Sequence, residues 1–288
     1  MSQAGVVRWA NEHKTIRQTC VTPVGAVREW LRHTVLLWLG LARRAPESAF
    51  VRCLHFHYVY DDQVEAFRDR LTRLRRIGRF ISTAELCEII AGRRAVSEPC
   101  FHLSCDDGFD NIHRNACPVL RSLEIPAAIF VPTAFMGASD EEVVQRWWKP
   151  HEVSQPTRPM SWEQLRELAE AGFDVGSHTR HHARLSDVSG DAERLRDELT
   201  GSKEDIERHT GRPCRYISWP YGLRKDIDEA SLAAIEQAGY EACFSTIRGA
   251  VTPGRTSRFE IPRHNFEPQS PWLHVRYFAL GGMERGHA

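Results

Sequence analysis

The chain has 288 residues, and its 38 Lys and Arg balance 38 Asp and Glu, for a formal net charge of zero. That balance leaves no electrostatic footprint for nucleic acid, and the length is enough for one large domain, or one domain with an extension, around a sizeable core. The eight Cys are scattered with no CxxC spacing. They read as reduced, mostly buried thiols, and with no leader-like stretch at the N-terminus the expected location is cytoplasmic.

Residues 1–49 read as an N-terminal extension with one helical stretch. Its most apolar run, TVLLWLGLA at 34–42, is bracketed by Arg28, Arg32, Arg43 and Arg44. It falls short of the ~20 residues that span a bilayer. The expectation is an amphipathic helix packed on the domain, with a membrane-surface helix carrying Trp30 and Trp38 as the alternative. From residue 50 a second rhythm begins and defines a domain over 50–288. FVRCLHFHYV (50–59) reads as a strand and 64–78 as a helix ending in Gly78. Ser82 and Glu85 form a capping box for a helix over 81–92. CFHLSC (100–105) is a strand, 116–125 helical, and AAIFVP (127–132) a strand. A polar, Trp-rich loop follows from about 135 to 160. Ser161 and Gln164 cap the next helix, and FDVGSH is the strand after it. A long charged helix covers 191–210, then come the strand RYISWP (215–220), a helix at 227–238, and strands at 240–246 and 259–266. PWLHVRYFAL closes the series as a helix. This alternation argues for an α/β fold with a parallel sheet or barrel.

In a parallel barrel the chemistry sits at the C-terminal ends of the strands. Asp106, Asp107, His178, Tyr221 and His264 all fall at or just after such ends. Asp106 and Asp107 offer two carboxylates for two tasks, one to bind a metal and one to move protons. His178 and His182, at i and i+4, can present both imidazoles on one side of a helical turn. One carboxylate with two imidazoles leaves positions open on the ion, as catalytic sites do. His181, three residues from His178, competes for the same role. Trp147, Trp148 and Trp162 read equally as sugar-stacking faces and as packing anchors. His274 reads as packing, and His55 and His57 as structural residues, with a pocket-lining role for His57 as the alternative.

The three segments Ser104-Cys105-Asp106-Asp107-Gly108, His178-Thr179-Arg180-His181-His182 and Ser218-Trp219-Pro220-Tyr221-Gly222 resemble, in order, the three motifs of the polysaccharide deacetylase family of NodB-type carbohydrate esterases. The likeness covers roughly residues 50–280. It implies an irregular (β/α) barrel of about seven strands and the metal-dependent removal of an N-acetyl group from an amino sugar or N-acetylated glycan. It further implies Asp106 as catalytic base and Asp107, His178 and His182 as ligands of a divalent ion. Zinc is the expected metal, with Co²⁺, Ni²⁺ or Mn²⁺ as alternatives. The backbone N–H of Tyr221 takes the place of the oxyanion donor.

Two departures set this chain apart from that pattern. Ser218 stands where the third motif has an Arg that pairs with the base. The chain also has neither a DxxDW motif nor the LxH strand that supplies the catalytic acid. IPRHNF (261–266), similar to an element in one branch of the family, suggests that Arg263 replaces the missing Arg and that His264 is the acid. An N-acetylated sugar is thus the expected partner, with no nucleic acid and no membrane span. The competing readings are hydrolysis of another amide, such as a cyclic imide or ureide, and a non-catalytic carbohydrate-binding relative.

Overall fold

The computed structural model of the chain describes residues 23–43, 49–148 and 157–284. Residues 1–22 and 44–48 of the extension, residues 149–156 of the Trp-rich loop and the side chain of Trp148 lie outside the described residues.

The helices that position the barrel are α1 (Pro23–Ala42), α2 (Val64–Arg75), α3 (Thr83–Ile90), α4 (Cys117–Ser122), α5 (Trp162–Glu170), α6 (Ser202–Thr210), α7 (Glu229–Gln237) and α8 (Trp272–Ala279). The strands are β1 (Val51–Phe56), β2 (Arg79–Ile81), β3 (Cys100–Cys105), β4 (Ala128–Val131), β5 (Asp174–Ser177), β6 (Tyr216–Ser218), β7 (Ala242–Phe244) and β8 (Arg263–Asn265). All pair in parallel in the order β7-β6-β5-β4-β3-β1-β8, with β2 attached to β3. Seven of the eight match the expected strands. The eighth, β2, is three residues in the gap between the helices expected over 64–78 and 81–92. The sheet nearly closes on itself, because the chain after β7 pairs with the approach to β8: Ser245 donates to the Ile261 carbonyl at 2.9 Å and Arg263 to that of Ile247 at 3.0 Å.

Strands buried on both faces read as continuous apolar runs, and β1 and β3 are buried at every position. One face carries the larger core, with Phe67 and Leu71 of α2 and Leu165 of α5 packed on Phe56, Leu103 and Ile129. The other face lines the barrel interior through Val51, Cys53, Phe130, Tyr216 and Phe244, in a cluster that also contains Leu86, Ile89 and Ile90 of α3. Each such side chain contributes ~1.5–3 kcal/mol on burial. Of the expected caps, Ser161 and Gln164 form the full box. Ser82 accepts from the Glu85 N–H, but the Glu85 side chain instead pairs with Arg79 and Arg94.

The extension's helix is longer than the apolar run suggested, and it docks on α8. Gly40 is required at the crossing, since a Cβ there would collide with the Leu273 carbonyl. Arg43 donates to the carbonyls of Leu280 and Gly281, and Arg276 to those of Gly40 and Arg43. Leu36 faces inward, whereas Leu31, Val35, Trp38 and Leu41 are exposed. Among the described residues no helix is long and apolar enough to cross a membrane. All seven described cysteines are unpaired thiols, six of them buried.

Candidate active site

Three strand ends build the site. After β3 the chain reverses within Asp107 (φ 70°) and Gly108 (φ 61°). Asp tolerates the left-handed region better than most residues. Gly108 is also sterically required, since a Cβ would lie 2.6 Å from Val131 Cγ1. After β5, His178 donates its N–H to the Val131 carbonyl at 2.9 Å. The next residues form an irregular turn, with Thr179 (φ 61°) and His182 (φ 56°) in the left-handed region. The two imidazoles therefore meet by a different route from the helical turn expected for i, i+4. Their ring centroids stand 4.9 Å apart at 68°. After β6 the backbone turns at Tyr221 (φ 63°), whose ring packs edge-on against His182 at 5.1 Å.

The His178 Nδ1 atom lies 2.7 Å from the Ser218 carbonyl. An N–H at Nδ1 fixes the tautomer and leaves the Nε2 lone pair free. That Nε2 and the Nε2 of His182 stand 3.6 and 3.4 Å from Asp107 Oδ1. These distances are too long for good hydrogen bonds, and Asp107 Oδ1 is buried with no hydrogen-bond partner among the described residues. Ligands ~2.0–2.1 Å from a tetrahedral zinc ion stand ~3.3–3.4 Å apart. The donor atoms of Asp107, His178 and His182 lie within 4.8 Å of one another and so suit a single ion. Burial alone would raise the Asp107 carboxyl, but the surrounding imidazoles, His182 foremost, bring it down to about 2. Burial likewise lowers His178 to about 4, with Asp106 opposing, so its imidazole is neutral at pH 7.

Asp106 is held from the opposite side by Arg263. The guanidinium donates to Asp106 Oδ1 at 2.8 Å and Oδ2 at 2.7 Å, to the hydroxyls of Ser104 at 2.9 Å and Ser218 at 2.6 Å, and to the Ser245 carbonyl at 2.7 Å. Both side chains are buried. Burial would push the Asp106 carboxyl up, but Arg263 more than reverses this and holds it well below the usual range. The expected pairing of Arg263 with Asp106 is therefore present in the geometry. Ser218, at the place of the missing Arg, anchors the Arg that substitutes for it.

His264 does not reach the site. On β8 successive side chains point to opposite faces. Arg263 and Asn265 face inward, so His264 is turned away, fully buried, with Nε2 3.1 Å from Glu284. In its place stand two residues on β1 and its continuation that were expected to be structural, with a pocket-lining role for His57 as the alternative. His55 and His57 line the same cavity as Asp106, Asp107, His178, His182 and Tyr221, a space of about 400 Å³. His55 is buried, and burial together with Arg263 keeps its imidazole neutral. His57 is half-buried. The signal available was the period of two in Cys53, His55 and His57, which puts all three on the inner face of one strand.

The other aromatic and His candidates resolve differently. Trp147 is buried and stacks between Phe109 and Phe135, which makes it a packing anchor. Trp162 stacks on His209 at 4.1 Å. His274 is buried in α8, outside the cavity. His181 does not join the ligand cluster and pairs with Glu198.

The polysaccharide deacetylase family model matches residues 93–243 of this chain. The chain is 27% identical over 169 residues to a poly-β-1,6-N-acetyl-D-glucosamine N-deacetylase of Staphylococcus aureus, which covers 56% of this chain and 52% of that protein. It spans about half the length of the curated relatives it matches. Among solved structures, IcaB from Ammonifex degensii superposes with a TM-score of 0.64 at 23% identity, covering 81% of this chain and 97% of that one. The BpsB deacetylase domain from Bordetella bronchiseptica gives 0.62 at 23%, covering 77% and 97%. At such identities the superpositions speak for the barrel alone. The match of the family model over more than half of the sequence, across the segments that carry Asp106, His178 and Tyr221, makes this chain a member of the polysaccharide deacetylase family.

Proposed function

We propose that this chain is a metal-dependent N-deacetylase that hydrolyses the acetamido group of N-acetylglucosamine-type residues in a polysaccharide. The observation that carries this reading is the pairing, in one cavity, of a convergent Asp107–His178–His182 donor set with the Arg263-held carboxylate of Asp106. The name of the Staphylococcus aureus relative supports the substrate class. Two imidazole nitrogens and one carboxylate suit zinc. An ion held there supplies Lewis acidity to the amide carbonyl and to the attacking water.

The chain's own residues do the rest. Asp106 accepts the proton of the water that adds to the amide carbon. Arg263 occupies one side of each carboxylate oxygen and leaves further lone pairs for that water. The Tyr221 N–H, at the turn after β6, is assigned to the oxyanion. As the C–N bond breaks, the amine takes a proton from a neighbouring acid and leaves as the free amino sugar, with acetate as the second product. His57 is assigned this role in place of His264, because it lines the cavity and is only half-buried.

Acetate release from poly-β-1,6-N-acetylglucosamine and from free N-acetylglucosamine, with and without a chelator, tests the reading. Release from the polymer should be abolished by the chelator and restored by Zn²⁺ or Co²⁺. Release from neither substrate under any metal would overturn it.

A further inference from the structure

The turn that carries His178 and His182 is held from behind by a separate segment, and the hold centres on Glu198. Glu198 is 2% exposed. Its Oε2 accepts the backbone N–H of Arg180 at 3.0 Å and of His181 at 2.8 Å, while Oε1 lies 2.9 Å from His181 Nδ1. It sits in a π-helical turn, Asp197–Gly201, between the helix Ala192–Arg196 and α6. Such turns recur at functional sites. Serines on either side complete the hold. The Ser177 hydroxyl accepts from the Thr179 N–H at 3.0 Å, and Ser202 donates to the Thr179 carbonyl at 3.1 Å. Left-handed residues such as Thr179 and His182 cost ~1–3 kcal/mol each and persist only where the surroundings over-determine them. A buried carboxylate that collects two backbone N–H groups of the turn meets that need, with charge-assisted bonds.

The same carboxylate also occupies His181. This imidazole lies three residues from His178 and beside His182, so it has the chemistry of a ligand. Glu198 holds its Nδ1, and the ring stays outside the cluster formed by Asp107, His178 and His182. We propose that Glu198 is a positioning residue that selects His182 over His181 as the second imidazole ligand. The inference rests on the reading of those three residues as a metal site.

The test compares wild type, His181→Ala, Glu198→Ala and the double variant. Zn²⁺ affinity is read by chelator competition and coordination by the visible absorption of bound Co²⁺. His181→Ala should match wild type in both. Glu198→Ala should bind Zn²⁺ ~10–100-fold more weakly, the usual cost of losing a group that orients a ligand. Its Co²⁺ spectrum should also change as two imidazoles compete for one position. Removing His181 as well should restore the wild-type spectrum. If circular dichroism shows that Glu198→Ala is unfolded, Glu198→Asp, one methylene short of the turn, is read by the same criteria. Wild-type affinity and spectrum in the Glu198 variant, or an altered spectrum that persists in the double variant, would overturn the proposal. A wild-type chain that binds neither ion overturns the metal reading itself, and this inference with it.

Discussion

Arg263→Met removes the charge at the centre of the barrel while roughly keeping its volume. In wild type the guanidinium meets both oxygens of Asp106 within 2.8 Å, and the two side chains are 0% and 2% exposed. Breaking a buried pair from one side costs ~3–5 kcal/mol, because the remaining charge is left uncompensated. At ~2–4 °C per kcal/mol for a domain of this size, the melting temperature should fall by ~6–20 °C. Asp106→Asn should also destabilise, leaving Arg263 buried without its counter-charge. The double variant has neither charge and should be at least ~2 kcal/mol more stable than additivity predicts. The pH dependence has a defined sign. Arg263 depresses the folded pKa of Asp106, so its contribution is present above the unfolded value of ~4 and lost as pH falls below it. In Arg263→Met burial loses its main opponent and the carboxyl protonates at higher pH, so the deficit should narrow on acidification. Urea unfolding at pH 7.5 and 5, with chelator present so that ion binding adds nothing to stability, measures all four proteins. Strictly additive single variants, or an Arg263→Met deficit below ~1 kcal/mol, would refute the assignment of Arg263 as the compensating charge.

Asp106→Asn should lose ~10²–10⁴-fold in turnover while retaining metal, since the role proposed for it is proton transfer; loss of metal in this variant would show that the two carboxylates share ligation. His57→Ala should lower kcat by a similar factor, whereas His264→Asn should leave kcat within a few-fold and act on stability, and the opposite order would return the acid's role to His264. Glu284 lies between Arg52 and His264. Burial would raise its carboxyl, but the two partners hold it at about 2 against an ordinary 4.5, so Glu284→Gln should cost ~2–3 kcal/mol at neutral pH. That deficit should fade as pH drops from about 4.5 towards 2, and thermal melts at pH 7 and 3 check it. Gly108→Ala should lose both metal and fold stability, because its Cβ would meet Val131 in a left-handed turn; a variant with wild-type metal content and melting temperature would show that the turn adapts.

The barrel and the candidate ion site were legible because the signals are local. Apolar runs alternate with helical spacing, and the carboxylates and imidazoles follow directly on strands. The pairing of Arg263 with Asp106 was legible from a departure, since a Ser at position 218 left the base without a cation, and from the likeness of IPRHNF to an element in one branch of the family. Other features were set by distant partners. A three-residue strand such as β2 shows no period of its own. The left-handed turn at Thr179 and His182 depends on Glu198, Ser177 and Ser202, which no local rule connects to it. The error at His264 has a more instructive origin. Arg263 and His264 are neighbours on a strand, and the pleat sends neighbours to opposite faces. Assigning both to one cavity contradicted the geometry that placed β8 there, while the same parity puts His55 on β1 and His57 just beyond it on one face. Asp106 and Asp107 are also neighbours, and both reach the site. They can do so because Asp107 lies beyond the end of β3, where a φ of 70° breaks the alternation and swings its carboxylate back over the cavity. Adjacent residues can therefore share this active site where the second has left the strand, and are divided by it where both remain in the sheet.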